Sequence, residues 1–238
     1  MIDIKLGTVS NAALAGKLIA GGWVSHPELL SIGRVVLQRY KFTCQGCGFQ
    51  SRPTKQVPHG WMLPVDLQHP GLLALKEGVG ICLCPLCAST LASNWSVAPV
   101  IAGSKELPAP GMLVLLPHIS QVQLNRLALH LVSIHASRKV AQQTSLEAIA
   151  VSVDSVISSL SKDVQSKLSI YRDGKDAEFC RALSMLPNDY YQYRDEIIGP
   201  VRWWPTMAYW REQGAYWMTQ TFDALQGGCP ELTEAMSR

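Results

Sequence analysis

A mixed α+β fold, with a small module of strands and turns followed by a mainly α-helical C-terminal part, is what the sequence predicts from three observations. Residues 41 to 87 are interrupted every few positions by glycine or proline, which leaves no room for a long helix. The same stretch holds five of the seven cysteines, four of them as two CxxC pairs. After Ser120, apolar residues recur at helical spacing behind helix-start signals.

The first predicted helix is "SHPELLSIGRVVLQRY". Ser25 and Glu28 have capping-box spacing, Pro27 suits the first turn, and Leu29, Ile32, Val36 and Tyr40 recur on one face. This helix runs directly into the first cysteine pair. A connection is expected at "SVAPVIAGSKELPAPG", giving an N-terminal module over 1–110 and a helical part over 111–238. In the second part, "MLVLLP" reads as a buried strand. The helix after it starts at a Ser120/Gln123 capping box and carries Leu124, Leu127, Leu131 and Ile134 on one face. Thr144 and Glu147 open a further helix with a stripe of Ile149, Val153, Val156, Ile157, Leu160 and Val164. More helical pieces are expected near 174–186, 188–198 and 206–225, separated by Pro187, Pro200 and Pro205.

Composition narrows the function classes. The chain has 238 residues, 47% apolar and 16% charged, enough for a sizeable core. A net charge of +3 is too small to demand a polyanionic partner. One local basic excess exists, Arg34, Arg39, Lys41, Arg52 and Lys55, with no acidic residue between Glu28 and Asp66. The sequence has no signal-peptide pattern at its start and no apolar run of membrane-spanning length, so a cytoplasmic protein is expected. It contains neither a GxxxxGK[ST] phosphate loop nor a GxSxG elbow.

Cys44 and Cys47 form one CxxC, followed by Gly48, and Cys84 and Cys87 form the second, "CPLC". Two such pairs can present four thiolates to one tetrahedral zinc ion at about 2.3 Å. Four thiolates fill the coordination sphere, so this zinc is expected to be structural, with no open position for chemistry. Cys82 is an alternative ligand to Cys84, which the two-residue spacer favours. Cys180 and Cys229 lie apart and read as ordinary thiols. His130 and His135 are five apart on the predicted helix and do not face each other as a ligand pair.

A helix entering CxxCG, a strand segment with histidines and then a second CxxC resembles the zinc-stapled HNH endonuclease fold, a ββα unit. That resemblance implies a histidine base, for which His59, Asp66 and His69 in "VPHGWMLPVDLQHPGLLAL" are the candidates, and a further histidine after the second CxxC, where this chain has Ala88. Loss of that ligand argues against a working nuclease. Taken together, "RYKFTCQGCGFQSR", "LPHISQVQLNRLALHLV" and "IGPVRWWPTMAYWREQGAYW" resemble the IcmJ/DotN family of type IVB secretion and related conjugation systems. The resemblance implies a non-catalytic zinc-containing adaptor in a coupling complex. Such an adaptor binds the C-terminal region of the coupling ATPase and is held at the inner membrane through that complex.

The segment "RWWPTMAYWREQGAYW" concentrates Trp203, Trp204, Tyr209, Trp210, Tyr216 and Trp217. Trp210 and Trp217 are seven apart and share a helical face with Met207. Such a stripe is either core or an aromatic groove for a partner, and the six residues are the candidate partner-binding set. Two other readings remain: an HNH nuclease using His59, Asp66, His69 and His118, and a zinc-finger-like nucleic-acid binder using the five basic residues.

Overall fold

A computed structural model describes residues 2–66, 80–102, 105–136, 144–167 and 175–222. His69 and Cys229 lie outside the described residues, as do parts of the expected helices near 174 and 225.

The chain opens with an extended segment in which Ile4 and Leu6 are buried while Asp3 and Lys5 are exposed, the period of a half-buried strand, and Gly7 and Val9 are buried beyond that alternation. Its backbone is tied to later elements by Ile2 N–H to Gln45 O (2.7 Å) and Gly7 N–H to Thr90 O (3.0 Å). Helix α1 (Ala12–Ile19) is capped by the Asn11 side chain, which accepts from Leu14 N–H. A 3-10 turn at Gly22–Ser25 then leads into α2 (Pro27–Arg39). The Ser25/Glu28 capping box does not form. Ser25 belongs to the preceding turn, and His26 takes the extended N-cap conformation with no side-chain bond.

Strands β1 (Leu63–Val65) and β2 (Ile81–Leu83) pair antiparallel, with Pro64 opposite Cys82, and lead into α3 (Pro85–Leu91) and the short α4 (Ser93–Ser96). The expected connection at 96–111 contains a hairpin of β3 (Val100–Ala102) and β4 (Lys105–Leu107). Strand β5 (Gly111–Leu115) confirms the buried apolar run. It pairs antiparallel with β6 (Val201–Pro205), a strand the sequence reading did not foresee, because two adjacent tryptophans before a proline read as part of the aromatic cluster.

Helix α5 (Gln121–Ala136) starts at the expected capping box: Ser120 N–H donates to Gln123 Oε1 (3.0 Å) and Gln123 N–H to Ser120 Oγ (3.2 Å). Its buried line includes Gln121, Leu124, Asn125, Ala128 and Val132, whereas Leu127 is largely exposed. The expected long helix is divided into α6 (Thr144–Ser159) and α7 (Ser161–Lys167). Ile157 and Val164 of its stripe are buried, but Val156 is 64% exposed. The later helices are α8 (Asp176–Ser184), α9 (Asn188–Tyr191), α10 (Arg194–Ile198) and α11 (Arg211–Gln220).

The β5–β6 ribbon lies between α5 on one side and α6 and α7 on the other, so both faces of β6 are covered. Apolar packing runs across residue 110. Leu37, Phe49, Leu83 and Leu86 belong to the same apolar cluster as Leu124, Leu129, Trp203 and Trp217.

Helix α11 packs on α5 at Gly214, where an added Cβ would sit 2.4 Å from the backbone oxygen of Val132. The obstacle is backbone, so side-chain rotation cannot relieve it. Gly214→Ala is expected to lower the unfolding free energy by about 1–3 kcal/mol in denaturant titration, despite alanine's higher helix propensity. An unchanged or raised midpoint would contradict this packing.

Candidate metal centre

Each cysteine pair is shaped by its own local structure. At the end of α2 the chain reverses through Lys41 (φ 50) and Phe42 (φ 55), both left-handed, and enters the first knuckle. Within it Cys44 N–H donates to Phe49 O (2.7 Å) and Gly48 N–H to Cys44 O (2.9 Å). Gly48, at φ 78, makes a positive-φ turn that a residue without a side chain adopts freely. Gly46 is confined as well, because a Cβ there would meet Ile4 Cγ1 at 2.5 Å and Cys87 Sγ at 3.2 Å. The second pair straddles a helix start. Cys84 is the N-cap of α3, Pro85 fills its first turn, and Cys87 N–H points to Cys84 Sγ (3.5 Å). Gln45 N–H donates to Cys82 O (2.8 Å) and so docks the first knuckle on β2.

The four Sγ atoms of Cys44, Cys47, Cys84 and Cys87 lie within 4.8 Å of one another, and all four residues are buried. Cys47 and Cys84 sulfurs are 3.7 Å apart. The edge of a tetrahedron with 2.3 Å metal–sulfur bonds is about 3.8 Å. The quartet therefore fits a metal ion held by four thiolates, and among the described residues it is the only such group of metal-binding side chains. Cys82 is not part of it, which resolves the choice between Cys82 and Cys84. Burial, reinforced by the charge of Cys44 and Cys47, pushes the Cys82 thiol well up. Burial also pushes Cys44 up, but hydrogen bonds from Cys47, Cys84 and Cys87 outweigh it and hold Cys44 well below the usual thiol value. Cys84 is raised by burial, and Cys87 by its hydrogen bonds with Cys44 and Cys47. Sulfurs this close compete for negative charge, a conflict that a bound divalent cation removes.

Two adjacent residues of α5 reach the two knuckles. Asn125 Nδ2 donates to Cys87 Sγ (3.3 Å) and to Thr90 Oγ1 (3.2 Å), and Arg126 Nε donates to Cys47 O. Asn125 Oδ1 accepts from Gln121 Nε2 (2.9 Å), and Gln121 in turn binds both backbone groups of Trp203, its Nε2 to the carbonyl at 2.9 Å and its Oε1 from the N–H at 2.8 Å. Both amide side chains are buried and fully engaged. Sequence reasoning quoted this segment without assigning these residues a role. The available signal was a pair of amides at i, i+4 on the apolar side of a predicted helix.

The other candidates fall elsewhere. His59 is packed edge-on against Trp23 and Trp61, its Nδ1 accepts from Trp61 N–H (3.0 Å), and burial lowers it to about 4. Asp66 is buried and His118 is exposed on the turn before α5, and neither joins His59 in a metal-binding group. Cys180 is a buried thiol raised by burial to about 12. His130 is exposed, with Nδ1 2.8 Å from Arg126 O. Arg34, Arg39, Lys41, Arg52 and Lys55 are all exposed.

The aromatic set needs correction as a partner surface. Trp203, Trp204, Trp210 and Trp217 are fully buried. Trp204 Nε1 donates to Asp154 Oδ1 (2.8 Å), Trp210 Nε1 to Pro110 O (2.8 Å), and Trp217 packs edge-on against Phe49 of the first knuckle. Trp203 and Trp204 are adjacent on β6, which pairs with β5, while Trp210 at the N-cap of α11 and Trp217 within it are carried inward as that helix packs on α5. Only Tyr209 and Tyr216 keep partial exposure, and the Tyr216 hydroxyl donates to Arg52 O.

Compared with known proteins, the chain matches no family profile and no curated protein.

Cys84→Ser is expected to abolish metal retention and lower the denaturant midpoint, whereas Cys82→Ala keeps the full metal content, as read by elemental mass spectrometry on the purified protein. Equal metal loss in both variants would move Cys82 into the ligand set.

Proposed function

We propose that this chain is a non-catalytic adaptor whose fold is stapled by one structural zinc ion, and that it serves in a type IV (IVB) secretion or conjugation coupling complex. The observation that carries the reading is the closed, buried quartet Cys44, Cys47, Cys84 and Cys87, tied by Asn125 and Arg126 to the helical half. All-thiolate donors favour zinc over harder divalent ions, and four of them leave no position for water or substrate. The order β1, β2, α3, with the second CxxC at the strand-to-helix junction, supports an HNH-like ββα module.

The coupling-complex assignment rests on the sequence resemblance, and the proposed partner is the C-terminal region of the coupling ATPase. Burial of the tryptophans moves the proposed contact away from them and onto the partly exposed Tyr209 and Tyr216 with the neighbouring surface. The adaptor is held at the inner membrane by its partners. Among the described residues no helix is long and apolar enough to cross a membrane. A nuclease is disfavoured because His59 is enclosed by two indoles and stands apart from any metal-binding group of described residues.

Affinity purification of the tagged chain from its native cells, followed by quantitative mass spectrometry, is expected to recover a coupling ATPase in near-stoichiometric amount. Recovery of nucleic acid without such a protein would contradict the adaptor reading and favour binding through the exposed basic residues.

A further inference from the structure

Away from the cysteines, a concave pocket of about 460 Å³ opens between α2 and the loop at 56–59. That volume lies within the range of about 300–1,000 Å³ typical of small-molecule sites. Its apolar walls include Trp23, Leu30, Leu37 and Phe42. On α2 the lining residues Leu30, Arg34, Leu37 and Gln38 follow i, i+4, i+7 and i+8, so a single helix face forms one side.

The one charged side chain that lines this pocket is a cation, and the amides of Gln38 and Gln56, which both donate and accept, line it as well. Arg34 lines it and is exposed, with no ion pair among the described residues. His59 lines it too. Its Nδ1 is occupied as an acceptor by Trp61 N–H, so in the neutral ring the proton sits on Nε2, which has no partner among the described residues. Burial lowers His59 to about 4 and keeps the ring neutral at pH 7. Trp23 is 1% exposed, yet its Nε1–H finds no acceptor among the described residues. A buried donor without a partner is uncommon in a folded protein. Among the described residues no aspartate or glutamate lines the pocket, and none occurs in the sequence between Glu28 and Asp66.

The geometry points to a binding site for a monocarboxylate carried on an apolar or aromatic body, held by its ring or branched chain against Trp23, Leu30, Leu37 and Phe42 and by its carboxylate on Arg34. One guanidinium can take a carboxylate through two parallel hydrogen bonds, and the His59 Nε2–H and the glutamine amides can satisfy its remaining lone pairs. A dianionic phosphate fits less well, because its second charge would face apolar walls without a counter-ion. The same chemistry occurs in a free small acid and in the last residue of a polypeptide. This site is distinct from the metal centre, although Phe42 belongs to the turn that enters the first knuckle, and it does not rest on the adaptor reading.

Titration of the metal-replete full chain with 3-phenylpropionate, its amide, and N-acetylphenylalanine tests the assignment. The readouts are calorimetry and the Trp23 indole N–H signal, assigned through Trp23→Phe. The acid is expected to bind saturably and shift that signal, with the amide weaker by about tenfold or more. Arg34→Ala, a change at an exposed helix position, should weaken the acid to the level of the amide. Tighter binding of N-acetylphenylalanine identifies a chain end as the natural ligand, and tighter binding of 3-phenylpropionate a free acid. Absence of saturable binding, equal affinity for acid and amide, or acid binding unchanged in Arg34→Ala would each overturn the proposal.

Discussion

The hydrogen bond from the Asn125 amide to Cys87 Sγ is the contact on which the rest of the arrangement depends. Through Gln121 it continues to both backbone groups of Trp203, so that a strand near the C-terminus is aligned by a cysteine more than a hundred residues earlier. An amide between a sulfur and another amide can meet its hydrogen-bonding needs only in one register. Buried and unpaired, each of its groups would cost about 1–3 kcal/mol. The relative position of α5, α3 and β6 is thereby specified more sharply than apolar packing alone could do.

The first knuckle needs such support. Two consecutive left-handed residues with full side chains, Lys41 and Phe42, reverse the chain out of α2, at a cost of roughly 1–2 kcal/mol each. Local bonds offset part of this, with Phe42 N–H on Leu37 O (2.9 Å) and Ser51 N–H on Phe42 O (3.1 Å). A metal ion held by the cysteine quartet would supply far more, since apparent binding free energies of structural zinc sites are about 10–16 kcal/mol. Phe49 and Trp217 then carry the order of the knuckle to α11.

Local patterns were the legible part of the sequence. The CxxC spacing identified the quartet, the Ser120/Gln123 box located the start of α5, and an apolar run located β5. Longer-range features were not legible. Alternating burial at Ile4 and Leu6 is too short to read and gains meaning only from the backbone bonds that tie the segment to Gln45 and Thr90. Trp203 and Trp204 read as a potential surface because nothing in their neighbours announces that β6 pairs with β5, ninety residues away. Ser25 shows the opposite failure: a sound capping signal lost to a competing 3-10 turn. Gln121 and Asn125 looked like ordinary polar positions until their partners came into view.

The central claim is that the cysteine centre orders the helical half as well as its own knuckles. Hydrogen–deuterium exchange, followed by mass spectrometry on the protein before and after metal removal by a chelator, tests it most directly. The account predicts that protection is lost in the 41–51 and 81–96 segments and also in α5, β6 and α11. Loss confined to the two knuckles, with α5 and β6 unchanged, would contradict it.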